Sequence, residues 1–169
     1  STTNRITSTV IPASSSDRWK LVTMRQATGS KTPQTNNKVS IQLSLDGHSF
    51  SDPALSELPV SGVSVTVELL LPRTMLVPAE LFDAEKGADL LAANGMPPMA
   101  EECVVHSDPE AAFVAVTAIN REALRQVEEK LGDRARFTTP LLHSPANTAK
   151  TVWMSRRAGI LYIKVYDAG

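Results

Sequence analysis

The chain has 169 residues, 42% hydrophobic and 21% charged, a mixture suited to one ordinary globular domain with a real core. Seventeen basic residues face eighteen acidic ones, for a net charge of -1, which removes any charge-driven case for nucleic acid or an anionic membrane as partner. No apolar run reaches the roughly 18 residues a membrane span needs, and a single cysteine, Cys103, excludes an intramolecular disulfide.

The first residues lack the basic start and apolar run of a signal peptide, and lone cysteine usage fits a reducing compartment. A cytoplasmic location is therefore expected. Residues 1–37 are rich in Ser, Thr, Asn and Gln and are expected to form a polar, partly mobile extension. Within it, "RWKLVTMRQ" alternates around Trp19, Leu21 and Thr23, as a short strand or a docking segment would.

From Lys38 the pattern tightens. Val39, Ile41, Leu43 and Leu45 alternate with Ser40, Gln42 and Ser44, a period of two that predicts a strand with one buried face. Asp46-Gly47 is the favoured pair for a two-residue type I′ turn, and His48 to Ser51 gives a short return strand. "GVSVTVELLL", Gly62 to Leu71, predicts a third strand antiparallel to the second. A helix over 78–94 follows: Pro78 suits its first position, Glu80 its first turn, and Gly95 its stop. Its expected buried stripe is Leu81, Ala84, Ala88 and Leu91, with Gly87 as an interior weakness.

Two strands surround Asp108-Pro109, and the second, Ala111 to Ile119, is apolar enough to be central. Asn120 is a good N-cap for a helix with Leu124, Val127 and Leu131 toward the core, closed by Gly132. Ile119 and Leu124 suit a hydrophobic staple at its start. "ARFTTPLLHSPANTAK" predicts a strand and a short helix from Ser144-Pro145. Thr151 to Arg157 and Gly159 to Asp167 form a last hairpin. Leu161, Ile163 and Val165 take one face of its second strand, and Ile160, Tyr162, Lys164 and Tyr166 the other. The order implies an α+β or α/β molecule with a mixed sheet of five or more strands, an antiparallel meander followed by alternating helices and strands.

The strings "VSIQLSLDGHSF", "LVPAELFD", "VAVTAINREALRQVEEKLGDRARFTTPLL" and "GILYIKVYDAG" resemble a family of uncharacterised Bacteroidetes proteins with an actin-like, ribonuclease H-type fold. More distantly, the element order looks like the first half of the pilus-assembly protein PilM and the cell-division protein FtsA. The resemblance implies an actin-like first subdomain over 38–150, with 151–169 as the first strands of a second, truncated subdomain. It also implies final strands left unpaired, and an exposed sheet edge that recruits a second copy or another protein.

In active members of the wider fold, the first strand carries an Asp and a Gly-rich turn cradles phosphate. Strand-to-strand matching puts Gln42 where the Asp would sit and Ser44 where the first Gly would be. Asp46, Gly47 and Ser49 remain the phosphate-loop candidates, with ATP and Mg as the alternative cofactors to none at all. The second phosphate turn would correspond to "MSRRAGILY", where Arg156 and Arg157 could meet an anion. Asp167-Ala168-Gly169 lies one strand too late for the Asp-x-Gly signature and is read as a hairpin turn.

Other chemistry is thin. His106, Asp108 and Glu110 in "HSDPE" could form an acid–base or metal site, but His48 and His143 are isolated, and a polar loop is the better reading. Cys103 leads into Val104-Val105 and reads as a small buried residue, not a catalytic thiol. Glu80, Asp83 and Glu85 suit a helix start. No metal site is expected. The preferred expectation is a non-catalytic protein that acts by protein–protein or inter-domain contact. The alternatives are the first half of a nucleotide-binding ATPase and an unrelated small α+β domain.

Overall fold

The computed structural model describes residues 5–11, 20–25, 39–44, 64–143 and 150–167, with side chains over 41–44, 64–143 and 150–166. It is a mixed α+β molecule with several sheets and two α-helices among these residues. The strands are β1 (Arg5–Ile11), β2 (Lys20–Arg25), β3 (Val39–Ser44), β4 (Val65–Leu70), β5 (Thr74–Pro78), β6 (Glu102–His106), β7 (Phe113–Asn120), β8 (Ala135–Thr138), β9 (Thr151–Arg157) and β10 (Ile160–Asp167). The helices are α1 (Gly87–Ala93) and α2 (Arg121–Leu131).

Instead of one large sheet, the described strands form three, in the orders β1-β10-β9, β2-β3-β4-β8 and β5-β7-β6. In the four-stranded sheet β2 is antiparallel to β3, while β3, β4 and β8 run parallel. The third predicted strand therefore pairs directly with the first, side by side and parallel. The expected Asp46-Gly47 turn, the return strand and the helix from Ser144 lie outside the described residues. Lys20–Arg25 of the polar N-terminal segment is a strand, and Arg5–Ile11 is another.

Alternation explains the main core. Ile41 stands beside Val67 and Phe137, and Leu43 beside Leu69, so one face of the parallel strands is continuously apolar. That face packs on Ala123, Val127 and Leu131 of α2 and on Val105 and Ile119. The helix begins as its sequence predicts: Asn120 Oδ1 accepts the backbone N–H of Glu122 at 2.9 Å and of Ala123 at 3.2 Å. It stops at Gly132, whose φ of +56° suits glycine. Replacing Asn120 with Ala removes both capping bonds and should cost about 1 kcal/mol, read as a lower urea midpoint at unchanged slope.

β7 is the centre of its sheet and buried from Val114 to Ile119, as its composition implies. Val116 and Ala118 face α1 through Leu91, and Ile119 faces the main core. The helix expected from Pro78 begins nine residues later, at Gly87. Pro78 instead ends β5, a strand that the proline signal conceals, and two short 3-10 turns follow. Of the expected stripe only Leu91 is buried; Leu81, Ala84 and Ala88 are exposed. Gly87 opens the helix, and the position favours glycine because a Cβ there would come within 2.8 Å of Val104 Cγ1.

The last strand is not left unpaired. β10 lies between β1 and β9, and the β9–β10 hairpin turns on Ala158 and Gly159, both at positive φ (51° and 75°). Its inward face is Ile160, Tyr162 and Lys164, and Ile160 and Tyr162 form a separate core with Leu141, Leu76 and Trp153.

Candidate functional site

Parallel strands bring their carboxyl ends to one edge, and in open α/β sheets ligands bind there. Here those ends are Ser44, Leu70 and Thr138. At this edge the register aligns Gln42, Glu68 and Thr138 across β3, β4 and β8. Parallel partners share a face, so the three form a polar row opposite the apolar face of the sheet.

Glu68 is the acid of this row, and it is engaged. Its Oε1 accepts from Arg157 Nη2 at 2.7 Å, joining β4 to β9 across 89 positions of sequence. The Glu68 side chain is 17% exposed and that of Arg157 36%. Behind them the Tyr162 hydroxyl donates to Leu71 O at 3.3 Å. Burial, and then the negative charge of Glu68, hold this phenol well above the usual tyrosine range, against a smaller opposing effect of Arg157. At the other end of the row Thr138 Oγ1 lies 3.1 Å from His143 Nε2.

A shallow surface dimple with no room for a water molecule adjoins Thr138 and is lined by Leu69, His106, Ser107, Thr117 and Phe137 among others. Its polar groups are committed to the chain. Ser107 Oγ accepts the Ala115 N–H at 2.8 Å, and His106 Nδ1 lies 2.7 Å from Ser107 O while its ring packs at 5.0 Å on Phe82.

The sequence candidates disperse. No bond or ion pair joins His106 to Asp108 or Glu110, and Asp108 Oδ1 instead accepts the Glu110 N–H at 2.9 Å to close the loop. Asp83 Oδ1 caps a 3-10 turn through Glu85 N, and its other oxygen lies 3.6 Å from Lys86 Nζ. Cys103 is half-buried, with Sγ 3.7 Å from Ile119 O. Burial raises its thiol pKa, countered in part by Arg121, so it is a poor thiolate. Among the described residues no group of three or more His, Cys, Asp and Glu could hold a metal ion, and no helix is long and apolar enough to cross a membrane. Asp46, Gly47 and Ser49 lie outside the described residues.

Two features escaped the sequence. Glu68 sits in a stretch that predicts only a strand, and the register alone reveals its neighbours Gln42 and Thr138. Arg157 was weighed as an anion ligand, whereas Glu68 holds it. Arg156, its neighbour, is exposed on the opposite face of β9. That face carries Val152 (56% exposed), Met154 (63%) and Val165 (38%), an apolar surface of which the alternation in β10 predicted its own half as a face, and not as an exposed one.

No family model matches the chain, and no curated protein does. Among solved structures, it is similar to a Bacteroides thetaiotaomicron protein with actin-like ATPase fold and unknown function, at 22% identity and a TM-score of 0.49. The match covers 63% of this chain and 43% of that one, so the chain spans less than half of that protein's length.

Proposed function

We propose that this chain is a non-catalytic unit of actin-like, ribonuclease H-type architecture that works by binding another protein or a second subdomain of its own kind. The family resemblance in its sequence motivates the architecture, including the more distant likeness to PilM and FtsA and the division into subdomains at about residue 150. The observation that carries the interaction reading is the exposed apolar face of β9 and β10, where Val152 pairs with Val165 and Met154 with Ile163. Large side chains aligned in this way on an open sheet face are a common mark of an interaction surface. The polar row supports the non-catalytic part. Gln42 offers no charge to a metal, and the Glu68 carboxylate already answers a guanidinium.

A second reading has one observation in its favour. The carboxyl ends of β3, β4 and β8 share one edge, and Asp46, Gly47 and Ser49 follow β3 directly in sequence. On that reading they would grip the phosphates of Mg-ATP. Calorimetric titration with Mg-ATP separates the two. The interaction reading expects no saturable heat into the millimolar range; a saturable micromolar isotherm, weakened by Ser49→Ala, would replace it with the nucleotide reading.

A further inference from the structure

We infer that the edge of β9 with no strand beside it among the described residues takes up an extended, acidic, β-prone segment of another protein, added antiparallel as a fourth strand to the sheet β1-β10-β9. This rests on the interaction reading above and goes further by assigning the partner's chemistry.

The edge is open among the described residues. β9 pairs with β10 from Thr151↔Tyr166 to Ile160↔Arg157 without a break, and has no described neighbour on its other side. Such edges are usually blunted by proline, a bulge or an inward charge at mid-strand. β9 reads "TVWMSRR", with no proline and an unbroken register, and its charges are confined to one end. Backbone N–H and C=O groups of an edge give a visiting strand its affinity, and side chains on alternate positions give it specificity.

The side chains say which strand fits. On the outer face Val152, Met154 and Arg156 succeed one another, all exposed. Behind them stand Val165, Ile163 and Leu161 in register. β9 holds no acid. Arg157 is answered by Glu68, while Arg156 makes no ion pair among the described residues. A second copy is a poor occupant. Antiparallel self-pairing centred on Met154 would set each Arg156 against the other copy's Val152 and give neither guanidinium a carboxylate. Parallel self-pairing would set Arg156 against Arg156, and like charges directly opposite destabilise a sheet. The complementary strand has a carboxylate opposite Arg156 and branched apolar residues opposite Met154 and Val152. Read from its N-terminus, that is acid-x-apolar-x-apolar.

The test uses the full chain, labelled with nitrogen-15, and two peptides, acetyl-TETVTVT-amide and acetyl-TKTVTVT-amide, followed by amide shifts. The acidic peptide is expected to saturate shifts concentrated in residues 151–157. The lysine peptide should bind roughly fivefold more weakly or worse, since the swap turns an attractive cross-strand pair into a repulsive one. Arg156→Glu should reverse the order, and Met154→Asp should weaken both. Binding of neither peptide, equal binding of both, or an unchanged preference in Arg156→Glu overturns the inference. A concentration-dependent dimer that Met154→Asp abolishes would overturn it in favour of a second copy while leaving the interaction reading intact. Micromolar Mg-ATP binding would defeat the interaction reading whatever the peptides do.

Discussion

Replacing Arg73 with Ala is expected to lower stability by about 3 kcal/mol and the melting temperature by roughly 6–12 °C. Arg73 lies in the short link between β4 and β5. Its guanidinium forks onto Glu102 at the start of β6, with Nε to Oε1 at 2.8 Å and Nη2 to Oε2 at 2.7 Å. The Glu102 side chain is only 9% exposed. Without the arginine it keeps one bond, from Met99 N at 2.9 Å, and a nearly buried carboxylate remains without its countercharge. The damage is architectural. Arg73 O also accepts the Ala118 N–H at 2.9 Å, so the fork fixes the edge of the β5-β7-β6 sheet to the end of β4. The second variant, Arg73→Met with Glu102→Leu, removes both charges and should recover a large share of the loss, because the main cost is the stranded charge. Arg125→Ala is the control. Arg125 bridges Glu122 and Glu129 with equally short bonds, yet on the exposed face of α2, so its loss should leave the melting temperature nearly unchanged. Scanning calorimetry on the three variants and the wild type decides it. An Arg73→Ala protein that melts like the wild type would show that the fork contributes nothing.

The difference between those two arginines also marks what the sequence could tell. Arg125 has its partners three and four residues away, and any helix over 121–131 brings them together. Arg73 meets Glu102 only because β6 and β5 flank β7, a fact held in no local pattern. The same divide runs through the fold. α2 was legible from Asn120 and Gly132, β7 from its apolar run, and the last hairpin from Ala158-Gly159, because each signal acts within a few residues. β5 was not. Pro78 is a good first residue for a helix and an equally good last residue for a strand, and pairing with β7 decides between them. The polar row follows the same rule. Gln42 could be read as lacking an acid, but Glu68 and Thr138 become its neighbours only through two parallel pairings whose intervening chain is long. Nor could the register of β1 on β10, which joins the two ends of the chain, be foreseen from a Ser/Thr-rich segment with little alternation.

Tyr162→Ala should be the most damaging single change in the β9–β10 unit, at about 4 kcal/mol, and Tyr162→Phe one of the most informative, at about 1 kcal/mol. The ring is fully buried among Leu141, Ile160, Leu76 and Trp153, so truncation opens a cavity where three sheets approach one another. Phenylalanine fills that space and removes only the hydroxyl bond to Leu71 O. The two variants therefore separate packing from hydrogen bonding. They also separate two kinds of pH dependence. In the folded chain the phenol titrates well above its ordinary value, mainly because it is buried and then because Glu68 is near. The unfolded chain releases this proton near pH 10, where the folded chain still holds it. Above that pH the unfolded state binds fewer protons, so stability falls as pH rises, and below it the contribution is fully present. Urea midpoints from pH 8 to 11 should thus decline more steeply for the wild type than for Tyr162→Phe; parallel declines would mean that the phenol reaches water. The outcome bears on the interaction surface, because the inward face that Tyr162 anchors is the reverse of the one that carries Met154 and Val165. A strand held flat from behind keeps its edge ready for a partner. Acidic-peptide binding should accordingly survive Tyr162→Phe and fail in Tyr162→Ala even at temperatures where that variant remains folded.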